Sequence, residues 1–438
     1  MGEVADGIGG REASGKLRVG VVGGGAAGFF GAIACAEASP SADVTLFEAA
    51  REPLGKVRVS GGGRCNVTHH CFEPRELVGH YPRGGKALRG PLTKFQPRDT
   101  IDWFADRDVA LKVEADGRMF PTTDDSETIV ACLMRAAKRS GVRLLTRTPV
   151  KNIRRDPEEA DKIDKTGEMG LGQFVVTTRD GTQTFDRLLL ATGSSRKGYT
   201  WAQQLGQTIA EPVPSLFTFQ IDDRALHELA GISVAEAIVS VPETKPHQNL
   251  TQAGPLLISH WGLSGPAVLK TSAWGARFLH DRGYRTEIRV NWLPDWKPEA
   301  LRSKLQDLRQ REARKTIATF SPFGFSRRLW LYLLDRADLD PKLQWAQLPK
   351  AKLNRLVDRL SRCEFQVTGK GQFKDEFVTC GGVRLKEVNF KTMESRVCPG
   401  LFFAGEILDV DGVTGGFNFQ NAWTTGWLAG RAMAKSIS

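Results

Sequence analysis

Four stretches of the chain carry the short, nearly continuous hydrophobicity of strands buried on both faces. They are Leu17–Val22, Asp43–Phe47, Phe185–Leu190 and Leu401–Phe403. The segment Phe29–Ala36 between the first two reads as an apolar helix, and the order strand, helix, strand predicts a parallel sheet. From Trp201 to about Val290 the pattern changes to short half-polar strands at Ser215–Ile221, Glu236–Val241 and Pro255–His260, which predict a small barrel or sheet. Residues 297–362 change again. Leu301, Leu305 and Leu308 mark one helical stripe, and Leu353, Leu356, Val357 and Leu360 another. A last helix, rich in small apolar residues, is expected from Phe419 to Ala434.

At 438 residues the chain exceeds one ordinary core, so these changes of pattern set the expected boundaries. Residues 1–16 read as a flexible tail, and 17–200 with 365–438 as one discontinuous α/β domain. Residues 201–296 form a β-rich insertion and 297–364 a helical part of it. No apolar run approaches the roughly 18 residues that span a bilayer. Seven cysteines without scaffold or metal-ligand spacing suggest reduced thiols in a cytoplasmic setting, not a disulfide framework or a metal site.

Charge separates the helical block from the rest. The chain has 61 Lys and Arg against 50 Asp and Glu, a net of +11. Residues 297–362 hold 16 basic and 7 acidic side chains, so +9 of that excess sits in this block. Arg309, Arg311, Arg314, Lys315, Arg327, Arg328, Arg355 and Arg359 are candidate contacts to RNA phosphates. Trp292, Trp296, Trp330 and Trp345 are interleaved with them, either as core residues or as platforms for bases.

The first strand runs into Gly23-x-Gly25-x-x-Gly28 and then into a helix. In that context the spacing is a dinucleotide fingerprint, with Gly25, Ala26 and Ala27 placed to meet a pyrophosphate. The second strand ends at Glu48, an acid able to bind both hydroxyls of an adenosine ribose. Residues Gly55–Thr68 are expected to be neither helix nor strand interior. Their Lys56, Ser60, Gly62, Gly63, Arg64 and Asn66 are candidate contacts to a flat ring or phosphate. Thr192 and Gly193 follow a strand, and the loop Gly415-Gly416-Phe417-Asn418 opens the last helix. That helix's free N–H groups could stabilise negative charge on a reduced flavin.

The set GGGAAG (23–28), SGGGRCN (60–66), LLLATG (188–193), HWGLSGP (260–266) and AGEILDVDGVTGG (404–416) resembles one family of FAD-binding oxidoreductases. These are the BaiN-type, aminoacetone-oxidase-like flavoproteins, which include a ribosomal RNA dihydrouridine synthase. The resemblance spans about Leu17 to Ala434, with the charged stretch 156–170 peripheral to it. It implies a glutathione-reductase-like FAD-binding Rossmann fold with the barrel-like and helical parts inserted. It also implies that Glu48 holds the ribose, the Val150 backbone meets adenine, and Gly405, Glu406 or Asp409 lies along the ribityl chain.

No second fingerprint introduces a nicotinamide domain, so NAD(P)H as reductant would dock transiently. The favoured reaction is reduction of uridine in ribosomal RNA to dihydrouridine, with the base drawn out of its stack onto the flavin. Cys65 is the first candidate for the proton donor, with Tyr199 and His260 in reserve. The alternative is a small-molecule flavoenzyme, either an amine oxidase or a reductase of an unsaturated metabolite. A non-enzymatic RNA- or ribosome-associated protein is the third reading, and the intact glycine loops count against it.

Overall fold

The computed structural model describes residues 16–156, 173–242, 250–371 and 378–435. The tail expected over 1–16 lies outside them except for Lys16, as does all but Asp156 of the charged stretch 156–170.

Seven strands form the main sheet, in the order Val388–Asn389, Glu394–Ser395, Leu401–Phe403, Arg187–Leu190, Arg18–Val22, Asp43–Phe47 and Arg143–Leu145. The last five pair in parallel, with Val19 opposite both Val44 and Arg187, and Leu188 opposite Leu401. Val19, Val21, Leu188 and Leu189 are fully buried, which is why these strands read as apolar runs without alternation. Helix Ala26–Ala38 packs against helix Phe417–Met433. Their backbones approach so closely that a Cβ at Gly430 would lie 2.3 Å from the Gly31 carbonyl oxygen. Trp423 fills the space beneath them and donates its indole N–H to the Val67 carbonyl at 2.9 Å.

The middle of the chain closes a six-stranded barrel from Phe219–Ile221, Gly262–Ser264, Thr251–Ser259, Ser233–Ser240, Thr286–Asn291 and Cys363–Lys370. The run Ser215–Ile221, expected as one strand, is split. Ile209–Ser215 pairs with Val378–Val383, Leu216 turns at a left-handed φ of 57°, and Phe219 begins the barrel. The apolar pattern continues through the break because Phe217 is itself buried.

Helices Pro298–Arg311, Arg327–Arg336 and Lys350–Ser361 share a core with the barrel, and both leucine stripes face inward. Trp292, Trp330 and Trp345 are at most 1% exposed, so stacking of bases on these rings is ruled out and they are core residues. Among the described residues no helix is long and apolar enough to cross a membrane.

Candidate functional site

The glycine fingerprint divides into packing and open positions. A Cβ at Gly28 would sit 1.9 Å from the Gly23 carbonyl oxygen, so only hydrogen fits where helix Ala26–Ala38 leaves the strand. A Cβ at Gly25 would meet nothing within 4 Å, and the helix there begins with no side-chain cap. Its first N–H groups, including those of Ala26 and Ala27, therefore border open space, as an anion cradle requires. Glu48 stands beside it and accepts hydrogen bonds from the backbone N–H of Gly24 at 2.8 Å and of Ala50 at 2.6 Å. Val150 is buried, and its backbone makes no hydrogen bond among the described residues.

A second group gathers where strands Arg187–Leu190 and Leu401–Phe403 end. Lys56 Nζ lies 2.5 Å from Glu406 Oε2, and the other Glu406 oxygen accepts from the Thr379 N–H at 3.1 Å. Gly193 abuts the same carboxylate. Thr192 Oγ1, the Tyr199 hydroxyl and Asp409 Oδ1 are buried without a hydrogen-bond partner among the described residues. Burial, then the charges of Glu406 and Asp409, push the Tyr199 phenol well above its ordinary range. Orphaned buried polar groups are uncommon, and three beside an open glycine cradle fit the pyrophosphate and polyol of a dinucleotide.

The segment Gly55–Thr68 corrects an expectation. Residues from Gly55 to Val59 form a helical turn anchored by buried Val57, and Ser60, Gly61 and Gly62 then break it with ψ 150°, φ 58° and φ 70°. Gly62 and Gly63 face open space. Thr68–His69 is a short strand paired with Arg118–Pro121. Two expected donors to the cofactor are committed elsewhere. Arg64 lies over the Phe120 ring at 4.0 Å and bonds Glu114 at 2.6 Å. The Asn66 amide donates to the Thr68 carbonyl at 3.1 Å and accepts from the Gly416 N–H at 3.0 Å, stitching the glycine loop to the C-terminal loop. Asn418 likewise closes its own loop on the N–H and carbonyl of Gly412 at 2.8 and 2.9 Å.

The candidate proton donors are dispersed. Cys65 is 0% exposed, and burial pushes its thiol up to about 12, so as placed it packs the loop and presents no acid to a substrate. Tyr199 is buried beside Glu406 and Asp409. His260 is exposed at a barrel hairpin next to Trp261.

Sequence reasoning missed a different cluster around Phe417. His80 stacks on the Phe417 ring at 4.2 Å, and His69 lies tilted 4.6 Å from it. His69 Nδ1 is 3.0 Å from the Gly415 carbonyl oxygen, and the Tyr81 hydroxyl donates to the Phe417 carbonyl at 2.7 Å. Beneath them Arg83 forms a bidentate pair with buried Asp411, and donates to the Ala273 carbonyl of the barrel-side helix Pro266–Trp274 at 2.7 Å. Ser215 donates to the same carboxylate at 2.9 Å. The only sequence signal was the pair His69-His70 after the glycine loop, since His80 and Lys270 are far apart along the chain.

The basic block is less open than its charge suggests. Arg311 pairs with Asp307, Lys315 with Glu312, and Arg355 with Asp338. Arg359 and Arg328 donate to the carbonyls of Arg336 and Glu228. Arg314 and Arg327 are exposed without an acidic partner among the described residues, and Arg309 is half-buried.

The family described as HI0933-like protein Rossmann domain matches residues 17–432. A 3-dehydro-bile acid delta(4,6)-reductase of Clostridium scindens is 28% identical over 428 residues, covering 95% of this chain and 99% of that protein. A ribosomal RNA dihydrouridine synthase of Escherichia coli is 30% identical over 423 residues, covering 95% and 98%. Among solved structures, a 3-ketosteroid-delta4-(5alpha)-dehydrogenase from Rhodococcus jostii aligns with a TM-score of 0.47 at 15% identity, covering 97% of this chain and 98% of that one. The open fingerprint, the orphaned oxygens at the strand ends and the family match over nearly the whole chain agree: this chain belongs to the HI0933-like family of FAD-binding Rossmann oxidoreductases.

Proposed function

We propose that this protein reduces a carbon–carbon double bond conjugated to a carbonyl, and that its substrate is uridine in ribosomal RNA. The observation that carries the RNA reading is near-full-length similarity to two ribosomal RNA dihydrouridine synthases, at 30% and 28% identity. The surplus of +9 in residues 297–362 supports it, with Arg314 and Arg327 open to a phosphate backbone.

FAD, once bound and reduced, would supply hydride to the electron-poor carbon. The N-terminus of helix Ala26–Ala38 would hold the pyrophosphate, with Glu48 on the ribose and the Val150 backbone at the adenine. Thr192, Tyr199, Glu406 and Asp409 would line the polyol, and Lys56, now paired with Glu406, would turn towards a phosphate. Ser60, Gly62, Gly63 and the loop Gly415–Phe417 would flank the ring. NAD(P)H is the reductant we assign, docking transiently, and the setting is the cytoplasm.

A second reading, a small-molecule reductase, draws on the similarity to the bile acid reductase and on the internal pairing of much of the basic face. One experiment separates them: mass spectrometry of ribosomal RNA from a deletion strain. The RNA reading expects one uridine to lack a two-hydrogen increment that the parent strain carries. Identical RNA from both strains refutes it.

A further inference from the structure

Cofactor binding leaves the cluster around Phe417 without a role. Two imidazoles and an ammonium group meet there at the start of the 17-residue helix Phe417–Met433, whose first-turn N–H groups add positive potential. His69 has a defined tautomer. A carbonyl oxygen only accepts, so the nitrogen 3.0 Å from Gly415 carries the hydrogen. Its Nε2 is turned to Gly117, where a Cβ would come within 2.6 Å, so this ring is fixed from both sides.

His80 is held differently. Its ring lies 10° from parallel on Phe417, and its nitrogens have no hydrogen-bond partner among the described residues. Stacking sets the plane of the ring and leaves its polar edge unspent. Lys270, on helix Pro266–Trp274, has no acidic partner among the described residues. It lies close enough to both imidazoles to lower their basicity. Burial first, then His69 and Lys270, bring His80 down to about 4, so it is a neutral donor or acceptor near pH 7. On His69 the effects of burial, His70 and Lys270 prevail over those of the Gly415 carbonyl and Asp116. The two sides of the cluster are tied together by Arg83, which joins Asp411 to the Ala273 carbonyl one helical turn beyond Lys270.

We propose that Lys270 and His80 form an oxyanion-recognising pair that receives the carbonyl oxygen of the substrate, with His69 and Phe417 positioning the His80 ring. The assignment rests on the reductase reading for its substrate class, but the pocket can be tested apart from it. Reduction of a C=C–C=O unit, with a dihydroflavin as the class of reductant, delivers hydride to the far carbon. The π electron pair then moves onto the carbonyl oxygen, and the resulting enolate takes a proton at the near carbon as C=O re-forms. Negative charge is greatest on that oxygen midway, and a preorganised ammonium and imidazole N–H stabilise it more than they stabilise the neutral carbonyl. Uracil and an unsaturated ketone both present such an oxygen.

The test uses the FAD-loaded full chain and 4-nitrophenolate as an oxyanion probe, with 4-nitroanisole as its neutral counterpart. Isothermal titration calorimetry at a mildly alkaline pH reads both affinities. Parent protein should bind the phenolate more tightly than the ether. Lys270→Met should weaken phenolate binding about tenfold or more, and Lys270→Arg should restore most of it. His80→Phe, which keeps the stack on Phe417, should weaken it roughly threefold to tenfold. Each variant should keep the parent's flavin absorbance and its affinity for the ether. Variants that bind phenolate as the parent does overturn the pair. So does inorganic phosphate taking the phenolate's place with the same dependence on Lys270, because the pocket is then a phosphate site. Lys270-dependent phenolate binding in a protein that reduces neither uridine in RNA nor an unsaturated ketone upholds the pair and removes the reductase reading alone.

Discussion

Replacing Arg83 with Met should weaken the fold most at neutral pH, and the structure sets both size and sign. Asp411 is 0% exposed, and Arg83 meets it with two hydrogen bonds while also bonding Ala273. Methionine keeps most of the aliphatic stem, so the loss is mainly one of charge pairing. Removing one partner of a buried pair costs about 3–5 kcal/mol, because the other charge is left uncompensated. For 438 residues at about 2.1 cal/mol/K each, the unfolding entropy is about 0.9 kcal/mol/K, so the midpoint should fall by about 3–5 °C. That conversion applies if sheet and barrel unfold together, which a single transition by circular dichroism and by tryptophan fluorescence would establish.

The pH dependence follows from Asp411. Burial already raises its pKa, opposed by the hydrogen bonds and charge of Arg83 and by Ser215. Without Arg83 it should rise further above its unfolded value. A carboxyl raised on folding is accommodated when protonated and costs stability as pH climbs through its folded pKa. The variant's deficit should therefore be largest near neutrality and shrink as pH falls towards about 4, the ordinary carboxylate range. Thermal melts of parent and variant across that range read it directly. A deficit of equal size at every pH, or none at all, refutes the argument.

The two fingerprint glycines should fail in different ways. Gly25→Ala should fold and melt as the parent does yet bind FAD at least tenfold more weakly, because its methyl enters the open cradle, whereas Gly28→Ala should not fold. Fluorescence titration with FAD and a thermal melt distinguish the two, and parental FAD affinity in Gly25→Ala would remove the cradle from the binding site. Cys65, with its thiol near 12 and no exposed surface, should resist iodoacetamide in the native state at neutral pH. Peptide mapping that finds rapid alkylation there would return Cys65 to the list of reactive groups. Tyr199→Phe should leave the melting temperature of the FAD-free protein within about 1 °C, since its hydroxyl has no partner to lose, but weaken FAD binding severalfold. Unchanged affinity would take that hydroxyl out of the cofactor site.

Much of the cofactor body was legible because its signals are local. A buried parallel strand has no alternation, and Gly28 is required by a contact only five residues away in sequence. The leucine stripes of the basic helices were legible for the same reason, since 3.6-residue periodicity needs no knowledge of what the helix packs against. Residues 55–59 were misread because glycine content disfavours a helix locally, while buried Val57 and the neighbouring turn outweigh it. Arg64 and Asn66 were rightly read as residues with directed bonds. Their partners, Glu114 and Gly416, were set by loops brought in from 50 and 350 positions away.

The sequence by itself determined the order of strands and helices, the fingerprint that opens a dinucleotide cradle, and the location of +9 of the charge. Each is a property of composition or short spacing. Only the tertiary structure decided which of those charges are neutralised by nearby acids, which tryptophans are core, and that Cys65 is sealed inside. It alone brought His69, His80, Lys270 and Phe417 into one cleft. The physical reason is range: periodicity and turn chemistry act over a few residues, whereas burial, ion pairing and a shared pocket depend on which distant segments the fold makes neighbours.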